Sequence, residues 1–428
     1  MIGTVEVSLW GNRIGILHQG EAEQVPVFEY DRAFIESGIE LAPIMMPLSE
    51  RLYRFPGLKD STAFHGLPGL VADSLPDRFG NAVIDLWLEK NGRKAGSMTA
   101  LERLCYTGKR GMGALEYHPA ESPDSPDSVV DVTNLTLLAS SILSRKEKLA
   151  FGMDEISTAQ MIDVGSLAGG ARAKAVISWN ESTGEIRSGQ VQTAPGFDNW
   201  LIKFDNVGGN GDHGLEDRTQ YTLIEYAYHL MAKDAGIQMN QCRIFKKDGL
   251  SHFMTRRFDR DGARKKFVQS LGALGHYDYN EPRMCSYETC ASISRKIGIG
   301  KEGLEELYRR TAFNVIAANL DDHVKNFSFM MDRDGTWCLS PAYDITFAYN
   351  PDNKWLREHQ MTINGKSEHI SDGDLLAFGK KIGLSSIFCR DALKKVESVV
   401  KDWPQYAEQC GIEKGAIEAI GSVLANRP

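Results

Sequence analysis

The sequence predicts an α+β protein of two lobes: a small mixed α/β N-terminal subdomain and a strand-rich N-lobe, then a mostly helical C-terminal lobe. Three observations carry that expectation. The chain has 428 residues, more than one hydrophobic core ordinarily supports, so two or more subdomains are expected. In the first part of the chain, short apolar runs alternate at a period of two, the spacing of half-buried strands. From Tyr287 onward the apolar spacing is largely that of helices, interrupted by one hairpin pattern.

Composition narrows the class. With 42% hydrophobic and 25% charged residues, the chain reads as an ordinary globular protein. No uninterrupted apolar run reaches the ~18 residues of a membrane span. The start, Met1 to Val7, has neither a basic region nor an apolar core, so no secretory signal is expected and the cytoplasm is the expected compartment. Seven cysteines, odd in number and without a C-x-x-C pair, argue against a zinc site or a disulfide framework. A formal net charge of −8 argues against a surface built as a whole for nucleic acid.

The elements follow in order. Thr4 to Trp10 alternates as a strand, Gly11-Asn12 turns, and Arg13 to Leu17 starts a second strand. Asn81 to Lys90 reads as a helix, with Pro76 near its start. Thr99 to Tyr106 reads as another, and Gly108 to Leu115 as a glycine-rich turn entering a strand. Residues 1–120 thus form a first subdomain. The segment 121–128, Glu-Ser-Pro-Asp-Ser-Pro-Asp-Ser, has no apolar residue and reads as a linker. A helical stretch from Val130 to Ala150 follows.

Residues 129–260 read as a nucleotide-binding N-lobe. The small residues Gly169, Gly170, Ala171 and Ala173, with Arg172 among them, precede Lys174 and a strand from Ala175 to Trp179. Small side chains let backbone N–H groups wrap a phosphate, and Lys174 would add a point charge, although the spacing is not that of a Walker P-loop. Asn199 to Asp205 is a strand carrying Lys203 between Ile202 and Phe204; a strand lysine after a glycine-rich loop suits the α- and β-phosphates of ATP. Asn206 to Asp217 would act as a lid. Glu225, on a helix from Thr219 to Ala235, is a candidate partner for Lys203. Arg243 to Phe245 and His252 to Thr255 make a hairpin ending at Arg256, Arg257 and Phe258, where backbone groups would read an adenine edge.

Residues 261–428 form the helical lobe, with helices at 287–297, 303–319, 374–381, 385–400 and 412–424. Between the second and third of these lies the stretch on which the chemistry turns, N-L-D-D-H-V-K-N-F-S-F-M-M-D-R-D-G-T-W-C-L-S-P-A-Y-D from Asn319 to Asp344. Phe327, Phe329 and Met331 mark a buried strand, Asp332 to Gly335 a turn, and Thr336 to Leu339 its return. This hairpin would bring Asn326 and Asp344 together at one end. Oxygen ligands so placed suit Mg²⁺, which takes its remaining ligands from phosphate and water. Asp321 is then left to act as a base, with His323 and Lys325 toward phosphate. An Asp, an Asn a few residues on, and an Asp after a hairpin is the arrangement of a protein-kinase-like site.

Taken in order, Gly113-Ala114-Leu115, Gly170-Ala171-Arg172-Ala173-Lys174, Leu201-Ile202-Lys203, Arg257-Phe258-Asp259-Arg260, Asn319-x-Asp321-x-His323-x-Lys325-Asn326 and Pro341-Ala342-Tyr343-Asp344 resemble the HipA-type serine/threonine kinases, toxins of bacterial toxin–antitoxin pairs. The resemblance covers essentially the whole chain. It implies Asp321 as catalytic base, Asn326 and Asp344 as Mg²⁺ ligands, and Lys203 on the ATP phosphates beneath the 169–174 loop. It further implies adenine contacts at Arg256 to Phe258, a phosphate site lined by His323, Lys325 and Tyr343, and an autoinhibitory phosphorylation at Ser166. The implied partners are a small helix-turn-helix antitoxin (HipB-like), operator DNA reached through that antitoxin, and a protein substrate such as an aminoacyl-tRNA synthetase. Two other classes fit the residues: a catalytically weak, nucleotide-binding transcriptional corepressor, and a kinase of the same fold acting on a small molecule or lipid headgroup.

Overall fold

The structure, a computed structural model, describes residues 2–21, 23–121, 129–144, 172–190, 194–207 and 220–427. They divide into two compact units. The first takes in the described residues up to 42, from 46 to 207 and from 243 to 268; the second takes in 43–45, 220–242 and 269–427. The α+β class expected from the sequence is the class observed. No helix among the described residues is long and apolar enough to cross a membrane.

The first unit opens on a four-stranded sheet of β1 (Thr4–Leu9), β2 (Asn12–His18), β3 (Val27–Tyr30) and β4 (Leu115–His118), in the order β3-β2-β1-β4. Val5, Val7 and Leu9 are buried, as period-two alternation requires. Helix α1 (Arg78–Lys90) is capped by Asp77, whose carboxylate accepts from the Gly80 N–H, and α2 (Ala100–Thr107) starts on a Thr99–Glu102 capping box.

A five-stranded sheet completes this unit: β5 (Lys174–Trp179), β6 (Ile186–Ser188), β7 (Asp198–Lys203), β8 (Cys242–Lys247) and β9 (Leu250–Arg256), ordered β6-β5-β7-β9-β8. Ala175, Ile177, Trp200, Ile202 and Met254 on one face pack with Phe79 and Val83 of α1 and with Leu135 and Leu138 of α3 (Val132–Ser144). Burial of each large side chain contributes roughly 1.5–3 kcal/mol. Alternation leaves Lys174, Val176, Leu201 and Lys203 on the opposite face, and Lys174 lies directly across from Lys203.

The helix α4 (Tyr221–Asp234), expected within the N-lobe, belongs to the second unit. Its apolar face explains this. The Tyr228 ring lies 5.6 Å from that of Trp403 and 6.1 Å from that of Phe313, and its hydroxyl donates to the Ala317 carbonyl at 2.8 Å. At the other end of the hairpin, residues 261–268, expected in the C-lobe, fall in the first unit. The second unit continues with α5 (Tyr287–Lys296), α6 (Lys301–Ile316), the hairpin β10 (Ser328–Met331) and β11 (Trp337–Leu339), and the helices α7 (Asp372–Lys381), α8 (Ser386–Lys401), α9 (Trp403–Gln409) and α10 (Lys414–Asn426). Of these, α9, which contains Pro404, was not expected. Pro404 sits in the first turn, where a missing N–H is harmless. In α8, Leu393, Val396 and Val399 are buried as its pattern predicts, whereas Ile387 is exposed.

Candidate active site

The stretch from Asn319 to Asp344 lies wholly in the second unit, and its geometry starts at the end of α6. The helix stops at Ala317, and Ala318 takes a left-handed conformation (φ 50°) that redirects the chain. Asn319 is then fixed twice by Asn314, through its N–H to the Asn314 carbonyl and its Nδ2 to Oδ1, each at 2.9 Å.

Three residues on, Asp322 is completely buried and holds the loop from within. Its Oδ2 accepts from the Tyr287 hydroxyl (2.6 Å) and pairs with His359 Nδ1 (2.9 Å), while Oδ1 accepts from the Gln360 N–H (2.8 Å). Asn314 Nδ2 donates to the same Tyr287 hydroxyl at 3.0 Å, closing the network. Burial, followed by the Asp322 charge, pushes the Tyr287 hydroxyl well above the usual phenol range, so it remains a donor. With Asp322 anchored inward, its neighbour Asp321 turns outward and is about a quarter exposed, with Oδ1 4.0 Å from His323 Nε2.

A single 3-10 turn, Val324–Asn326, sets the next group. Asn326 Nδ2 donates to the Asp321 carbonyl at 2.8 Å, which fixes the side-chain amide and identifies Oδ1 as its acceptor end. The β10–β11 hairpin pairs Phe329 with Leu339 and Met331 with Trp337 around a turn closed by the Gly335 N–H on the Asp332 carbonyl. Beyond it, the Tyr343 hydroxyl donates to the Lys325 carbonyl at 2.5 Å and meets Ser328 Oγ at 2.5 Å. Asp344 has φ 52°, a conformation an aspartate tolerates better than most residues.

Asn326 and Asp344 line one narrow cleft, together with Arg310, Asn314, Asn319 and Asp322. The juxtaposition expected of the hairpin is therefore present. A carboxylate and a fixed carboxamide oxygen are hard donors, and the pair fits Mg²⁺, which binds through few protein ligands. Among the described residues, no group of three or more His, Cys, Asp or Glu could hold a metal ion on its own. Of the remaining residues expected here, Lys325 places its ammonium 4.9 Å from the Tyr279 ring centre, and His323 stands against the same ring at 5.8 Å. Tyr343 serves as a strut between the two halves of the site.

The other predicted residues lie in the first unit. Lys203 is buried, with its ammonium 5.8 Å from the Phe253 ring centre. Lys174, expected to face phosphate, is instead in a buried ion pair, 3.2 Å from Asp77 Oδ2. Ala173 is in the core, and its carbonyl accepts from the Phe204 N–H. Arg172 is half-buried, whereas Arg256 pairs with Asp198 at the surface. Arg257, expected to offer its backbone to adenine, donates its N–H to the Asn199 carbonyl, and Phe258 follows it, partly buried. Ser166, Gly169, Gly170, Ala171, the linker and most of the expected lid lie outside the described residues.

Two of the quoted motifs meet at Asp259. Its carboxylate accepts from Arg257 (2.9 and 2.7 Å), Arg260 (2.5 Å) and the Gly113 N–H (2.8 Å), and Arg260 returns to the carbonyls of Gly111 and Gly113. Burial alone would raise this carboxyl. The charges of Arg257 and Arg260 and the hydrogen bonds outweigh it and hold Asp259 far below the usual carboxylate range, while burial lowers Arg260 to about 10. Gly113 is required here: its φ is 76°, and a Cβ would come within 3.3 Å of the Val268 nitrogen.

Asp322, Tyr287, Asn314, His359 and Arg310 were missed at the sequence level. Asn314 had a signal, a carboxamide among Ala312, Phe313, Val315 and Ile316 of α6, whereas Arg310 sits beside Arg309 and Thr311 and had none. His359 had none either, since only the fold brings its segment to Asp322.

Comparison with known proteins bears on the family and the fold. A model of the HipA N-terminal domain matches residues 5–118, and one of the HipA-like C-terminal domain matches residues 166–403. The toxin–antitoxin protein HipA of Shewanella oneidensis MR-1, solved with HipB and its operator DNA, is similar in fold, with a TM-score of 0.65 at 16% identity over 99% of this chain and 96% of that one. The Helicobacter pylori proinflammatory kinase CtkA aligns over 61% of this chain and 89% of its own at 12% identity, with a TM-score of 0.41. With both domain models matched in chain order, the chain belongs to the HipA family.

Proposed function

We propose that the chain is an ATP- and Mg²⁺-dependent protein serine/threonine kinase, the toxin of a toxin–antitoxin pair. The observation that carries this reading is the cleft shared by Asn326 and Asp344, with the Asn326 amide tied to the backbone of Asp321. Any shift of the Asn326 ligand is thereby a shift of the residue assigned as base.

In this reading Asp321 accepts the proton of the substrate hydroxyl, which its partial exposure permits. Asn326 and Asp344 would hold Mg²⁺, which when bound supplies charge neutralisation at the transferring phosphoryl group. Lys203 is assigned to the ATP phosphates and the 169–174 loop to their cover; Lys174, held by Asp77, steadies the strand on which the loop ends. His323 and Lys325, both braced on Tyr279, would orient phosphate oxygens. Catalysis of this type rests on positioning and electrostatics.

Family membership and the Shewanella HipA complex with HipB and operator DNA support a HipB-like antitoxin and operator DNA as partners. An aminoacyl-tRNA synthetase is the proposed substrate, the cytoplasm the proposed compartment and Ser166 the proposed site of self-inhibition, where phosphorylation would add nearly two negative charges.

The test is incubation of the purified chain with Mg²⁺ and γ-labelled ATP, beside Asp321→Ala, followed by phosphopeptide mapping. The reading expects label on protein serine or threonine, Ser166 included, that Asp321→Ala abolishes. Label confined to a small molecule or lipid would replace the protein-kinase reading, and ATP binding without transfer would favour a corepressor.

A further inference from the structure

The cleft at the metal-ligand pair contains a charge that the mechanism above does not use. Arg310, on α6, is 2% exposed. Two of its guanidinium nitrogens are occupied: Nε donates to Glu306 Oε1 at 2.8 Å and Nη2 to the Ser340 carbonyl at 2.6 Å. Among the described residues the third, Nη1, is buried without a hydrogen-bond partner, and so is Asn319 Oδ1; both residues line the cleft with Asn326 and Asp344. A buried guanidinium donor left open is costly to keep, by on the order of 1–3 kcal/mol. Glu306 Oε1 also accepts from the Gln238 N–H at 2.9 Å, which stiffens the pair from behind and fixes where the guanidinium stands.

We infer that Arg310 is a positioning residue that sets the metal affinity of the Asn326–Asp344 pair. Its open nitrogen holds a fixed positive charge against the cleft, compensating Asp344 when no cation is bound and weakening the hold on a cation that is. This rests on the kinase reading of the same site, and it concerns turnover: a metal–nucleotide product held too tightly leaves slowly. Asn319 Oδ1, the complementary open acceptor, fits the same cleft as a partner for a water molecule on the arginine.

The test is Mn²⁺ titration of the full chain, alone and with ATP, followed by electron paramagnetic resonance. Arg310→Lys draws the charge back toward Glu306 and is expected to tighten Mn²⁺ binding about threefold, a change of ~0.65 kcal/mol. Glu306→Gln with Arg310→Met removes both members of the ion pair, so that neither charge is stranded, and is expected to tighten it about tenfold, ~1.4 kcal/mol. The direction discriminates, because a purely structural role would weaken the site when disturbed. Unchanged or weaker binding in Arg310→Lys, with its thermal unfolding midpoint within a few degrees of wild type, overturns the inference alone. A wild-type chain that binds no Mn²⁺ with or without ATP overturns the metal assignment of Asn326 and Asp344, and this inference with it.

Discussion

At the scale of single residues, the site depends on a carboxylate that takes no part in the chemistry. Asp322 is fully buried and accepts from Tyr287 and Gln360 while pairing with His359, so the outward turn of Asp321 follows from the inward anchoring of its neighbour. Asp322→Ala would strand those partners and is expected to cost about 3–5 kcal/mol, measurable as a loss of stability in urea. It should also depress turnover, through displacement of Asp321. The doublet Asp321-Asp322 was visible in the sequence, and so was the pairing of Asn326 with Asp344, because the hairpin between them is set by alternation and by an Asp-Arg-Asp-Gly turn. Which aspartate faced inward was not readable, since it is decided by Tyr287 and His359, 35 and 37 residues away.

At the scale of elements, two motifs that sit about 145 residues apart, the Gly113 turn and the Arg257 to Arg260 segment, are one structural device centred on Asp259. Sequence reading recognised each, left the Gly113 turn without a role and gave the Arg257 segment an adenine contact, and joined neither to the other. Their join is a long-range ion-pair network with no periodicity to betray it. Asp259→Ala leaves two buried arginines uncompensated and is expected to cost about 3–5 kcal/mol. Because the Asp259 carboxyl is depressed, its stabilisation is complete above the ordinary carboxylate range and is lost as pH falls through the lowered value. Gly113→Ala, strained by its positive φ, should cost about 1–3 kcal/mol. Both are read from chemical denaturation of the purified variants. The assignment of α4 makes a related point: its apolar face was legible, but not that Tyr228 would find Trp403 and Phe313.

At the scale of the whole molecule, the residues assigned to phosphotransfer in the proposed reading divide between two compact units, Lys203 in the first and Asp321, Asn326 and Asp344 in the second. Each has its own pH sensitivity. In the second, burial, together with Lys233, lowers His229 to about 4, and burial lowers His276 to about 4. Both are neutral when folded and take up protons more readily when unfolded, so their contribution is intact above about pH 6.5 and is lost as pH falls toward 4, at up to ~1.4 kcal/mol per pH unit for each. Calorimetric unfolding across that window, with His229→Gln beside wild type, should show a shallower slope in the variant. The central claim, that Asp321 is the base of an ATP-dependent phosphotransfer, is tested most directly by single-turnover transfer from ATP in wild type and Asp321→Asn, with ATP affinity measured in parallel. The account predicts a rate lower by about 10²–10⁴-fold at unchanged ATP affinity; transfer within a few-fold of wild type would contradict it.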